Sequence, residues 1–114
     1  MNYSEFSKIE QLNNYQGIAY LQAPDNLLGG EEALNLSKQV NDLKQQDFHS
    51  LVIDLSKVVM MNSSGLGSLV SVHRTLSQKN IKLFLLNPPE KILKLFKITH
   101  LENILTIIQD ISEL

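Results

Sequence analysis

The sequence predicts an α/β domain whose sheet contains parallel neighbours. Two apolar runs, Leu51–Leu55 and Ile81–Leu86, are almost unbroken, as strands are when both of their faces are covered. The segment between them changes to a helical period, and a further helical segment follows Pro88 and Pro89. A strand–helix–strand–helix order of this kind is satisfied by right-handed crossovers between parallel strands. The 114 residues suffice for one domain, 1–114, and no repeat, low-complexity tract or long linker divides them.

The elements follow in order. Phe6–Gln11 has the composition of a short strand, and Asn13-Asn14-Tyr15-Gln16-Gly17 that of a turn. Ile18–Gln22 is a β-favouring run stopped by Pro24, so the first two runs read as a hairpin. Asp25–Gly30 reads as a loop. From Glu31 to about Gln46 the residues Leu36, Val40 and Leu43 form one helical stripe, with Leu34 off it. Glu31 and Glu32 fall in the first turn of that helix and Lys38 and Lys44 later, as its dipole prefers.

Leu51–Leu55 is interrupted only by Asp54, and Ser56–Met61 connects it to a helix start at Asn62-Ser63-Ser64-Gly65. Leu66, Leu69, Val70, His73 and Leu76 continue at helical spacing until Asn80. Pro88 and Pro89 open the third helix, where proline suits the first turn, and Ile92, Leu95 and Phe96 supply its apolar face. Ile104–Ile108 fits a last edge strand and the start of a closing helix equally well.

Composition excludes several classes of function. Hydrophobic residues make up 43% and charged residues 19%, which suits a packed core and argues against disorder. The net charge is −2 and the lysines are scattered around a single arginine, Arg74, so a nucleic-acid partner is not expected. Cysteine is absent, which removes disulfides, thiolate nucleophiles and thiolate metal sites. His49, His73 and His100 lie far apart, so neither a metal site nor a cofactor is expected. The start Met1-Asn2-Tyr3-Ser4-Glu5 has no secretory character, and no run approaches the roughly 18 to 20 apolar residues of a membrane span. A soluble cytoplasmic protein is the expectation.

The segment Leu51–Gly67 is where chemistry could sit. Asn and Ser cap helices because their side-chain oxygens accept from unpaired backbone N–H groups. Gly65 and Gly67 expose backbone and allow a close approach. A helix N-terminus favours negative charge, so a phosphate on a serine here would be stabilised. The same residues also read as nothing more than a capped helix with two small packing residues. The turn is not a Walker loop, since no Gly-Lys-Ser/Thr follows. Nor is it a nucleophile elbow, since the Gly-x-Ser-x-Gly spacing is missing and no acid–histidine pair accompanies it. Leu27 and Leu28, beside glycines, read either as an exposed binding patch or as packing. Met60 and Met61 read as core gap-fillers, with a partner groove as the other reading.

The stretch Leu51-Val52-Ile53-Asp54-Leu55-Ser56-Lys57-Val58-Val59-Met60-Met61-Asn62-Ser63-Ser64-Gly65-Leu66-Gly67 resembles the signature of STAS domains, the family of anti-sigma factor antagonists and sulphate-transporter tails. The later Ile81–Leu86 strand and the Ile92, Leu95, Phe96, Ile98, Leu101 pattern also resemble the family. The resemblance implies a STAS-like mixed sheet of four to five strands with about four helices packed on it. It further implies a bacterial, non-enzymatic module of the anti-sigma factor antagonist type, working by partner switching. In such members a serine kinase of the anti-sigma type phosphorylates the first serine of the turn, here Ser63. The unmodified domain binds that kinase, and a PP2C-like phosphatase restores the unmodified form. Asn62, Ser64, Gly65, Gly67, Leu28 and Gly29 would then contribute the partner-binding surface.

Two positions depart from the family pattern. Asn62 stands where an aspartate is usual, so it can cap the helix but carries no charge. The usual Gly-x-Leu-Asp of the earlier loop is here Asn26-Leu27-Leu28-Gly29, followed by Gly30. These departures keep a second reading open, a STAS scaffold or sensor-partner domain that is not phosphorylated.

Overall fold

The structure, a computed structural model, describes residues 17–43 and 48–114. The strand expected at Phe6–Gln11, the turn before Gly17 and the helix end expected at Lys44–Gln46 lie outside the described residues. The elements in chain order are β1 (Ile18–Gln22), β2 (Asn26–Leu27), α1 (Gly30–Leu43), β3 (Ser50–Asp54), β4 (Met60–Met61), α2 (Ser63–Ser77), β5 (Lys82–Leu86), α3 (Glu90–Ile98) and β6 (Thr106–Ile108). Short 3-10 turns occupy Leu101–Asn103 and Ile111–Glu113.

The main sheet runs β1-β3-β5-β6, and every described pair in it is parallel. Of the expected hairpin, the second arm is β1, and the first arm, Phe6–Gln11, lies outside the described residues. Right-handed crossovers that advance in one direction deliver their helices to one face. The packing agrees: Ala19, Leu21, Leu51, Ile53, Leu83 and Leu85 share one core with Leu36, Val40, Leu69, Leu76, Ile92 and Phe96 from the three helices. The alternate strand residues Ile18, Tyr20, Val52, Phe84, Leu86 and Ile108 form a smaller cluster on the other face, closed in part by Ile111. Both faces are covered at Leu51–Ile53 and at Leu85–Leu86, where the runs are apolar without alternation, while Lys82 is exposed and Phe84 half-buried on the second face.

The structure corrects several expectations and decides one that was open. The described residues form three α-helices, beside the expectation of about four for the whole chain. The buried stripe of α2 is Leu66, Leu69, Val72 and Leu76, so Val72 takes the place expected for Val70. Pro89 caps α3 in an extended conformation (φ −60°, ψ 157°) instead of lying within its first turn. Residues 104–108 resolve as a loop into the edge strand β6, because β5 offers an open ladder that pairs Phe84–Leu86 with Thr106–Ile108. The loop expected over Asp25–Gly30 contains β2, which pairs in parallel with β4, placing Asn26 beside Met60 and Leu27 beside Met61.

A polar pair crosses the face opposite the three described α-helices. Register puts Tyr20 opposite Val52 and Gln22 opposite Asp54, so Tyr20 and Asp54 are diagonal neighbours on that face. The Tyr20 hydroxyl donates to Asp54 Oδ2, and the other oxygen, Oδ1, accepts the Ser56 N–H at 2.9 Å. Asp54 thereby ties β1 to the end of β3 and turns the chain toward β4. Burial, then the hydrogen bond and the negative charge of Asp54, hold the Tyr20 phenol well above the ordinary tyrosine range. A raised folded-state pKa means the stabilisation is whole below the unfolded value, near ~10, and is lost as pH rises above it. Denaturant unfolding should therefore show stability falling on the alkaline side of about pH 10. Tyr20→Phe should lose about 1.5 kcal/mol at neutral pH and flatten that alkaline limb; an unchanged limb would contradict the assignment.

Candidate functional site

The β2–β4 ladder lies where the chain leaves the carboxyl ends of β1 and β3. The Ala23 N–H donates to the Asp54 carbonyl at 3.0 Å, and the Val59 N–H donates to the Asp25 carbonyl at 2.6 Å, locking the two exits side by side. In open α/β sheets this carboxyl end is where recognition sites are usually built. Side chains alternate along the ladder. Leu27 points inward and is fully buried, and Met61 packs against the core. Leu28 and Met60 point outward, 37% and 49% exposed. The pairs Leu27–Leu28 and Met60–Met61 are therefore each divided, one member to the core and one to the surface. Leu27 as an exposed patch and Met60 as a core filler are both overturned by the same alternation.

The helix α2 begins immediately after β4. Asn62 is its N-cap, in an extended conformation, and its Oδ1 accepts the Gly65 N–H at 2.9 Å. The second polar group of the same side chain, Nδ2, donates to the Leu28 carbonyl at 3.0 Å. Ser63 and Ser64 are the first two helical residues, and both are exposed. Their backbone N–H groups belong to the helix end that carries partial positive charge. Nothing in the linear sequence could reveal the bond from Asn62 to Leu28, whose partners lie 34 positions apart.

Two glycines allow this assembly. A Cβ on Gly65 would sit 1.9 Å from the Leu27 carbonyl oxygen, so the first turn of α2 rests directly on the β2 backbone. The close approach expected at Gly65 is thus made by the chain itself, and Gly65 is buried. Gly29 is also buried, with φ +90°, and a Cβ there would lie 2.7 Å from the Ser64 Cβ. Gly67 differs: it is exposed, and nothing lies within 4 Å of where its Cβ would be. Asn62, Ser63, Ser64, Leu28 and Gly29 thus come together, with Gly65 beneath them and Gly67 one turn along the helix. Met60 joins the group, a member that the uniformly apolar run Val58–Met61 conceals.

Comparison with known proteins gives a consistent picture. The family model described as STAS domain matches residues 11–114. Anti-sigma-B factor antagonists of Staphylococcus epidermidis are 33% identical over 63 residues, 55% of this chain and 58% of theirs. The chain thus matches little more than half the length of those curated relatives. A crystal structure from Thermotoga maritima, described as a proposed anti-sigma factor antagonist, is 28% identical, covering 86% of this chain and 84% of that one, with a TM-score of 0.74. The Bacillus cell-fate determinant SpoIIAA in its phosphorylated form is 16% identical with a TM-score of 0.64, over 86% of this chain and 88% of that chain. At that identity the likeness is one of fold.

The two helix glycines should respond oppositely to alanine. Gly65→Ala forces β2 away from α2 and should cost about 2–3 kcal/mol in chemical denaturation. Gly67→Ala fills open space in a helix and should be neutral or stabilising by up to about 1 kcal/mol. Equal effects of the two substitutions would refute the contact between Gly65 and Leu27.

Proposed function

This chain belongs to the STAS domain family, and from that premise we propose that it is a phospho-regulated protein-binding module, an anti-sigma factor antagonist. Unmodified, it binds a serine kinase of the anti-sigma type; phosphorylation of Ser63 releases it; a PP2C-like phosphatase resets it. The observation that carries this reading is the exposure of Ser63 as the first residue of a 15-residue helix, beside the outward Leu28 and Met60. The identity to curated anti-sigma-B factor antagonists supports it further.

The physics of the switch is local. Exposed apolar side chains next to polar groups favour burial against a partner. A phosphate at Ser63 adds roughly −1.5 to −2 charge at pH 7. The N–H groups and dipole of α2 stabilise that charge in the free protein. Docking would strip its hydration, so the complex is opposed while the domain itself remains folded. Asn62, the residue before Ser63, spends both of its polar groups on backbone. No helix among the described residues is long and apolar enough to cross a membrane, and the reading places the protein in the cytoplasm with its kinase.

Asn62, where the family usually has a carboxylate, favours a second reading: a docking domain of the same fold that is not modified. One experiment separates the two. Incubation with an anti-sigma-type kinase from the same genome and ATP, followed by mass spectrometry, should add one phosphate to the native chain and none to Ser63→Ala. Ser63→Asp should weaken the kinase complex by about tenfold or more, equivalent to ~1.4 kcal/mol. Phosphate absent or located elsewhere, with Ser63→Asp binding as the native chain does, leaves the scaffold reading in place.

A further inference from the structure

Asn62 makes two hydrogen bonds of opposite polarity with one side chain. Its carbonyl oxygen accepts from Gly65 at 2.9 Å, and its amide nitrogen donates to the Leu28 carbonyl at 3.0 Å. Only a side chain that offers an acceptor and a donor at the same reach can do both. Serine is too short to span to Leu28. An ionised aspartate reaches, but it is acceptor-only and would set a carboxylate oxygen against the Leu28 carbonyl. The bond from the Asn62 nitrogen falls between the end of β2 and the start of α1. Leu28 follows the two-residue strand β2, and the next residues, Gly29 and Gly30, both have positive φ, +90° and +60°.

We propose that Asn62 is the positioning residue of the docking face: its side-chain amide latches the 28–30 turn to the N-terminus of α2 and presents Leu28 beside Ser63 in one fixed arrangement. The inference rests on the docking reading above for its functional meaning. It also reinterprets the departure from the family's carboxylate. The amide exchanges a charge at the helix start for a cross-link between two segments of the binding surface. The turn beside Ser63 is therefore held before any partner arrives, which lowers the ordering cost of association.

The test needs no partner, so its failure is separable from failure of the docking reading. Backbone 15N relaxation is measured for the native chain, Asn62→Asp and Asn62→Ser, with Gly65 amide exchange as the record of the helix cap. Asp and Ser both retain capping ability, so Gly65 should stay protected in each variant. At neutral pH the order parameters of Leu28 and Gly29 should fall from about 0.85 to about 0.6 in both. Acidification below about pH 4 protonates the introduced carboxyl, which can then donate to the Leu28 carbonyl. The turn should therefore tighten again in Asn62→Asp but not in Asn62→Ser. The carboxylates on the segments packed here are Asp25, Glu31 and Glu32, so each variant is read against the native chain at the same pH. A role in capping alone predicts the opposite sign, since an ionised carboxylate suits the helix N-terminus and its protonation weakens the cap. Order parameters at Leu28 and Gly29 that match the native chain in both variants would overturn the proposal. So would a turn in Asn62→Asp that loosens further on acidification.

Discussion

The site depends on one contact between backbones: the first turn of α2 lies on β2 with no side chain between them. The Leu27 carbonyl oxygen occupies the place where any residue but glycine at position 65 would put its Cβ, 1.9 Å away. That approach brings the start of α2 to the level of the β2–β4 ladder. Once the helix is there, the outward side of the ladder and the helix N-terminus become one continuous surface. Leu27, buried beneath, anchors the ladder in the core shared by the sheet and the three helices. A movement of β2 would therefore reach both the packing below and the surface above.

The surface combines three chemistries. It has a hydroxyl at the positive end of a helix dipole, outward apolar side chains, and a neutral amide that occupies itself wholly with backbone. The first suits a group that can gain charge. The second suits a partner that removes water. The third leaves the cap of α2 and the turn at Leu28 linked without adding charge of its own. In the proposed reading the switch requires no change of fold, because the same N–H groups that favour a phosphate are already oriented in the unmodified chain. The rest of the domain then serves as a rigid mount, with Tyr20 and Asp54 fastening β1 to the exit of β3 from the face opposite the helices.

Much of the fold was legible because burial leaves a periodic trace. Leu36 and Val40, Leu66, Leu69 and Leu76, and Ile92 and Phe96 all lie where helical spacing placed them, and all are buried. The strands β3 and β5 were visible as apolar runs. Readings stayed open or went astray where the trace is weak. Ile104–Ile108 is too short and too uniformly apolar for its period to separate strand from helix, and only the open ladder of β5 decides it. Val70 and Val72 are both apolar, so composition could not say which faces the core. The apolar pairs at 27–28 and 60–61 hid an alternation that appears only when the two segments align in register.

Propensity, period and capping are local properties of neighbouring residues, so the class of fold, the order of its central elements and the helix cap at Asn62 could be read along the chain. The sequence also marked Ser63 as a residue of interest through its resemblance to a known turn. The tertiary structure alone decided that Leu28 and Met60 share an outward face, that Gly65 is occupied by the chain's own carbonyl, and that the Asn62 amide spans to Leu28. Each of these joins residues more than thirty positions apart, and such meetings are set by the register of parallel strands rather than by any local preference.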